Sequence, residues 1–239
     1  MEKNVLIDSK TIEKKLKKIK KGFRRYNQKL VQYYGLETAQ QIERQTLDEY
    51  KQLLPKTPRF QGKLNIFNFI IGENVLIVAF YKAMKKSGKK VQETIRILYE
   101  VVDEVHTAIP PALCWVAGKI FFSRFFLFFI KRSSARVSKH PAGWRISYKK
   151  GEDNSSDWYF ECQECGVIKY YQAHDAEELA KYCNFVDYIQ SCVFGMGMRN
   201  PQNIGQGDSI CCEYMKKGRA TIVPNNLSEI VDYDLRRST

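Results

Sequence analysis

The hydrophobic periodicity of this chain changes once, near residue 140, and that change limits the folds open to it. Upstream, apolar residues recur at helical spacing in successive blocks. Ile12, Leu16, Ile19, Phe23 and Leu30 form one stripe of a first helix ending near Gly35. A second helix fits Glu37 to Leu54 and is stopped by Pro55 and Pro58. Ile66 to Lys86 reads as a largely buried helix with Gly88 at its C-cap, and Val91 to His106 as an amphipathic one closed by Pro110 and Pro111. A Phe-rich helix follows, to about Arg132. Downstream, Trp144, Ile146 and Tyr148 alternate with polar residues, and beyond a polar turn so do Trp158, Phe160 and Cys162. That is strand periodicity, and it predicts an antiparallel hairpin. Ala176 to Met196 is helical in its first part and is interrupted by Gly195 and Gly197. Ile210 to Met215 reads as another strand with Thr221 to Val223 as a short partner, and residues beyond Pro224 read as a tail. The expected class is α+β: a helical N-terminal half, then a small antiparallel sheet with a Cys-containing helix packed on it. The expected organisation is a basic amphipathic helix over residues 1–35 and a single α+β domain over 36–239.

The net charge of +13 would point to nucleic acid if it were spread over the chain. Residues 10–25 alone hold nine Lys or Arg against the single acid Glu13, about +8 in one short segment. The charge belongs to an element, and nucleic acid is disfavoured as a partner. A basic amphipathic helix suits contact with a membrane surface, or it lies solvated with its narrow apolar stripe docked on the domain. The stretch from Leu113 to Ile130 is apolar enough to raise the question of a membrane span. It carries Lys119 and Arg124, each costing roughly 2.5–3.5 kcal/mol at mid-membrane. A buried or surface-docked helix is therefore expected.

The seven cysteines are odd in number, and Met1, Glu2, Lys3 and Asn4 open no apolar run of the length a secretory signal needs. A cytoplasmic setting is expected, with thiols free, metal-bound or catalytic. Six of the seven fall between Phe160 and Tyr214: Cys162, Cys165, Cys183, Cys192, Cys211 and Cys212. His174 and Asp187 lie among them. Cys162, Cys165, His174 and Cys183 are candidate ligands for a tetrahedral zinc ion, although the second close pair of a zinc ribbon is missing. The other reading is thiol chemistry. His174 is then a general base or acid beside a cysteine, and Cys183 shares a helix face with Asp187 four residues on. A carboxylate raises a thiol pKa, so activation needs His174 or a cation, and Asp187 is better cast as a group that orients a substrate amidine or amine. Gly205-Gln206-Gly207-Asp208 leads into a strand and no helix, so it reads as a tight turn and not a dinucleotide fingerprint.

On Cys165, His174, Cys183, Asp187, the Gly-rich turn Ile204 to Asp208 and the strand Cys212-Glu213-Tyr214, the chain resembles the L-2-amino-thiazoline-4-carboxylic acid hydrolase family over roughly residues 40 to 220. The interval from Cys183 to Asp187 is longer than that pattern by one residue, and Cys211 competes with Cys212 for the strand position. The resemblance implies a hydrolase-like domain cleaving a C–N or C–S bond of a small cyclic amidine-like substrate. It casts Cys183 or Cys165 as nucleophile, His174 as base, and Asp187 on the amidine. Cys212, Arg199 and Arg145 become substrate-binding residues, the arginines for its carboxylate. The alternative is a non-catalytic small-molecule or metal-binding module similar to 4-vinyl reductase type sensor domains.

Overall fold

The computed structural model describes residues 9–62, 64–151 and 155–231. Among these, eight α-helices, most of them N-terminal, and a four-stranded antiparallel sheet make an α+β fold. Two compact units are present, one of residues up to 59 together with 69–101, the other of 60–68 together with 102 onward.

The first unit holds α1 (Ser9–Gly22), α2 (Arg24–Leu53) and most of α3 (Ile66–Lys86) and α4 (Val91–Thr107). The helix expected to run unbroken to Gly35 is interrupted at Phe23 and kinked at Gly35. The first break has a packing cause. Phe23 is buried, stacked on Tyr26 at 5.1 Å and edge-on to Phe80 at 6.1 Å, so the chain turns where its largest apolar side chain enters the core. At Gly35 φ is +79° with an extended ψ of 168°, a conformation that only glycine adopts without strain. On α1 the stripe Ile12, Leu16 and Ile19 is half-buried while the lysines are exposed. Polar ties close the unit. Tyr34 donates to Glu93 at 2.9 Å, and the Lys89 ammonium lies 3.9 Å from the centre of the Tyr34 ring. Among the described residues α3 is the one helix long and apolar enough to cross a membrane, and more than half of its apolar window is buried.

The second unit carries the sheet. The expected Phe-rich helix is two, α5 (Pro111–Phe121) and α6 (Arg124–Val137), bent by 65°. Ser123 makes the corner by accepting a bond from the Phe126 amide, the usual N-cap contact. α5 docks through Gly118, where a β-carbon would come within 2.4 Å of the Phe194 carbonyl oxygen, and through Phe121, whose ring meets Trp158 at 4.9 Å. Strands β1 (Arg145–Lys150), β2 (Trp158–Glu164), β3 (Arg199–Gln202) and β4 (Cys211–Met215) pair in the order β1-β2-β4-β3. The expected hairpin is β1 with β2, in the register Tyr148 to Phe160 and Ile146 to Cys162. Thr221 to Val223 is not a strand, and β4 instead takes Arg199–Gln202 as its edge partner.

Between β2 and β3 lie α7 (Gly166–Gln172), a 3-10 turn Glu177–Tyr182, and α8 (Phe185–Phe194), ended by Gly195 in the left-handed conformation. The expected tail beyond Pro224 is anchored at least to residue 231. Leu227 is fully buried, and the Asn226 amide donates to the Lys181 carbonyl at 2.7 Å and to Asn184 at 2.8 Å.

Candidate thiol and carboxyl site

Strand alternation sorts the sheet residues onto two faces. Cys162 pairs with Cys211 and Phe160 with Glu213 across β2 and β4, so these four share one face, joined from β1 by Tyr148. On the other face Tyr159 stacks on Tyr214 at 5.0 Å, Lys149 pairs with Glu161 at 2.6 Å, and Cys212 is buried. α7, the 3-10 turn and α8 bring Cys165, Cys183, Tyr171 and Asp187 to the first face, where their charges bear on Cys211, Glu213 and Tyr148.

Cys165 is the N-cap residue of α7. The Cys162 thiol, the backbone N–H groups of Ile168 and Val167 and the Trp144 indole all face its sulfur, although it makes no capping hydrogen bond to the helix. Donors stabilise a thiolate, and together they hold the Cys165 thiol below the ordinary cysteine value in spite of the burial that opposes them. Cys162 moves the other way. Its thiol donates to the Glu164 carbonyl at 3.1 Å, and the neighbouring Cys165 sulfur together with burial pushes it far up. Gly166 makes the arrangement feasible, because a β-carbon there would meet the Trp144 ring at 2.7 Å.

Cys183 caps the 3-10 turn and donates to the Asn203 side-chain oxygen at 3.6 Å. Burial first, then the charges of Cys165 and Cys211, raise its thiol well above the usual range. Cys211 is raised by burial and by Glu213. Glu213 is buried on β4, and burial together with Asp187 lifts its carboxyl well above the carboxylate range. Asp187, in the first turn of α8, is exposed although it acts on Glu213, Cys183, Cys211, Tyr148 and Tyr171. The cluster therefore reaches solvent at Asp187. Asn203 is almost fully buried, and its amide Nδ2 has no hydrogen-bond partner. An unmet buried donor costs about 1–3 kcal/mol, and here it sits beside Cys183.

The residues singled out in the sequence divide accordingly. Cys165, Cys183 and Asp187 come together, but not by the expected route. Cys183 and Asp187 do not share a helix face, because the 3-10 turn ends and α8 begins between them at Asn184. His174 lies past the far end of α7, its ring edge-on to Tyr170 at 4.5 Å; seven helical residues separate it from Cys165 by about 10 Å. Arg145 pairs with Glu164 at 2.6 Å and is exposed. Arg199 lies over Tyr214 on the other face of the sheet, and so does Cys212. Sequence reasoning named Cys211 only as a competitor of Cys212 for the strand position, and it gave no site role to Glu213, Trp144 or Asn203. The spacing of Cys211 and Glu213, two apart on a strand, was the available signal.

Among the described residues, no three His, Cys, Asp or Glu side chains are arranged to hold a metal ion. Cys162, Cys165, His174 and Cys183 are thus not grouped as the zinc set drawn from their spacing, since His174 is held apart by α7. Comparison with family models, curated proteins and solved structures gives no match for the chain.

Proposed function

We propose that the chain is a thiol-dependent hydrolase of a small cyclic amidine-like substrate of the thiazoline carboxylate type, working in the cytoplasm. The observation that carries this reading is the divergence of two neighbouring groups. The Cys165 thiol is pulled down toward its thiolate, while the Glu213 carboxyl, buried on the same side of the sheet, is pushed up toward its protonated form. A nucleophile and an acid whose environments push their pKa values apart are what the chemistry requires.

The Cys165 thiolate adds to the amidine carbon between sulfur and nitrogen. The carbon–sulfur bond of the ring then breaks, and the departing sulfur takes the Glu213 proton. Water adds to the resulting enzyme-linked isothiourea, giving its proton to the Glu213 carboxylate, and Cys165 leaves as thiolate with a carbamoyl product. Asp187, exposed at the edge of the cluster, holds the cationic amidine, and Asn203 Nδ2 offers its unused donor to the substrate. His174 is left out of the proton transfers because it stands at the other end of α7.

The test is incubation of the purified chain with 2-amino-thiazoline-4-carboxylate, following release of free thiol. Turnover lost in Cys165→Ser but retained in Cys192→Ser is expected. Saturable binding without release of thiol would replace this reading with that of a non-catalytic binding module. Absence of both would remove the substrate class.

A further inference from the structure

The bent pair α5–α6 leaves an apolar side uncovered. Of the eleven residues in α5 only Gly118 is buried. Trp115 is 62% exposed, Phe125 76% and Phe128 64%, and Ile120 is exposed beside them. Contiguous apolar surface of this kind marks a contact with a protein or a membrane. The charges choose between these. From residue 105 to residue 151 the chain has nine Lys or Arg and no Asp or Glu. Four of them, Lys119, Arg124, Lys131 and Arg132, are interleaved with the exposed rings, with the Lys119 ammonium 3.5 Å from the centre of the Trp115 ring and Lys131 and Arg132 exposed beyond Phe128, whereas Arg145 and Lys149 pair with Glu164 and Glu161 on the sheet. A protein groove receiving this surface would have to offer anions in the same plane as apolar area. An anionic bilayer offers both everywhere.

Length excludes a crossing by either helix alone. α5 and α6 span about 16 and 21 Å at 1.5 Å per residue, against a hydrocarbon core of about 30 Å. The bent pair together is long enough, but a crossing would carry Lys119 and Arg124 into the core at roughly 2.5–3.5 kcal/mol each. We infer that α5–α6 is a wedge that lies in the headgroup region of an anionic lipid bilayer, with Trp115, Phe125 and Phe128 in the acyl boundary and Lys119, Lys131 and Arg132 on the phosphates. This is independent of the thiol chemistry and of the basic helix α1.

The experiment is flotation of the full chain with phosphatidylcholine vesicles with and without phosphatidylglycerol. Binding to the anionic vesicles alone is expected, weakening as salt rises. The exposed double substitution Phe125→Ser with Phe128→Ser lowers the bound fraction at least about tenfold, and Lys131→Glu with Arg132→Glu does so in a salt-dependent way, both with unchanged circular dichroism. Trp115 emission shifts to the blue on binding, read as the difference from Trp115→Phe because Trp144 and Trp158 are buried. Failure to bind anionic vesicles overturns the inference. So does binding that both double variants retain, which would pass the role to α1, or self-association without lipid that the Phe variant abolishes, which would assign the face to a second copy.

Discussion

The Trp144 indole N–H faces the Cys165 sulfur and favours its thiolate, and the ring that carries it is fixed by Phe67 at 4.8 Å and Phe60 at 5.6 Å. A tryptophan that begins as an alternating position before β1 thereby becomes a determinant of thiol reactivity. Trp144→Phe keeps an aromatic ring and removes the donor. The pH midpoint for alkylation of Cys165 by iodoacetamide should rise in this variant, because one group stabilising the thiolate is gone. A purely packing role for Trp144 would change stability and leave that midpoint in place.

Cys165 itself should be alkylated ahead of Cys162, Cys183, Cys211 and Cys212 near neutral pH, since burial and neighbouring charge raise those four. Peptide mapping after brief labelling checks the order. Labelling led by Cys183 or Cys211 would contradict the assignment of the nucleophile.

Glu213 makes stability depend on pH with a definite sign. Its carboxyl is raised in the folded chain, so above the unfolded value of about 4.3 the native state keeps a proton that the unfolded state releases. Stability from this group is complete at acid pH and falls as pH rises, with a slope of up to about 1.4 kcal/mol per pH unit. Glu213→Gln removes the slope. Urea denaturation at about pH 5 and about pH 8 should show the variant gaining on the wild type at the higher pH. A parallel dependence in both proteins would mean that Glu213 is ionised in the fold.

Gly205 stands against the 3-10 turn that carries Cys183, and a β-carbon there would lie 1.9 Å from the Ala180 carbonyl oxygen. Backbone cannot yield as a flexible side chain does, so Gly205→Ala should cost about 2–3 kcal/mol. Gly22 has open space around it and ordinary helical backbone. Gly22→Ala should be neutral or stabilising by up to about 1 kcal/mol. Thermal melts of the two single variants make the comparison.

The class of this fold was legible because the change from helical to alternating spacing survives in the observed elements. What sequence did not show has physical reasons. Ser123 carried an N-cap signal, but the apolar runs on both sides, Ile120 to Phe122 and Phe125 to Ile130, made one continuous helix the simpler reading. β3 has the sequence Arg199-Asn200-Pro201-Gln202, with no apolar alternation and a proline that an edge strand tolerates. Thr221 to Val223 has better strand composition, yet it is tied by the Ile222 amide to the Met198 carbonyl and by the Thr221 hydroxyl to that of Ser191 at 2.7 Å, without a ladder. In the site, Cys165, Cys183 and Asp187 were visible as reactive types close in sequence. Trp144, Asn203 and Glu213 were not, because their importance comes from long-range pairing and from burial. His174 drew notice for its pKa range, whereas its position is set by a ring contact with Tyr170.

Cys211 and Cys212 are consecutive, yet β4 turns one toward Cys162 and the other toward Tyr159 and Glu161. The strand acts as a partition between two chemical compartments. An oxidant that links Cys211 to a neighbour must do so with Cys162 or a thiol on that side, while Cys212 stays reduced behind the backbone. A bond between the two adjacent thiols would require β4 to come away from the sheet, so its appearance in a stored sample would report lost structure and not redox state.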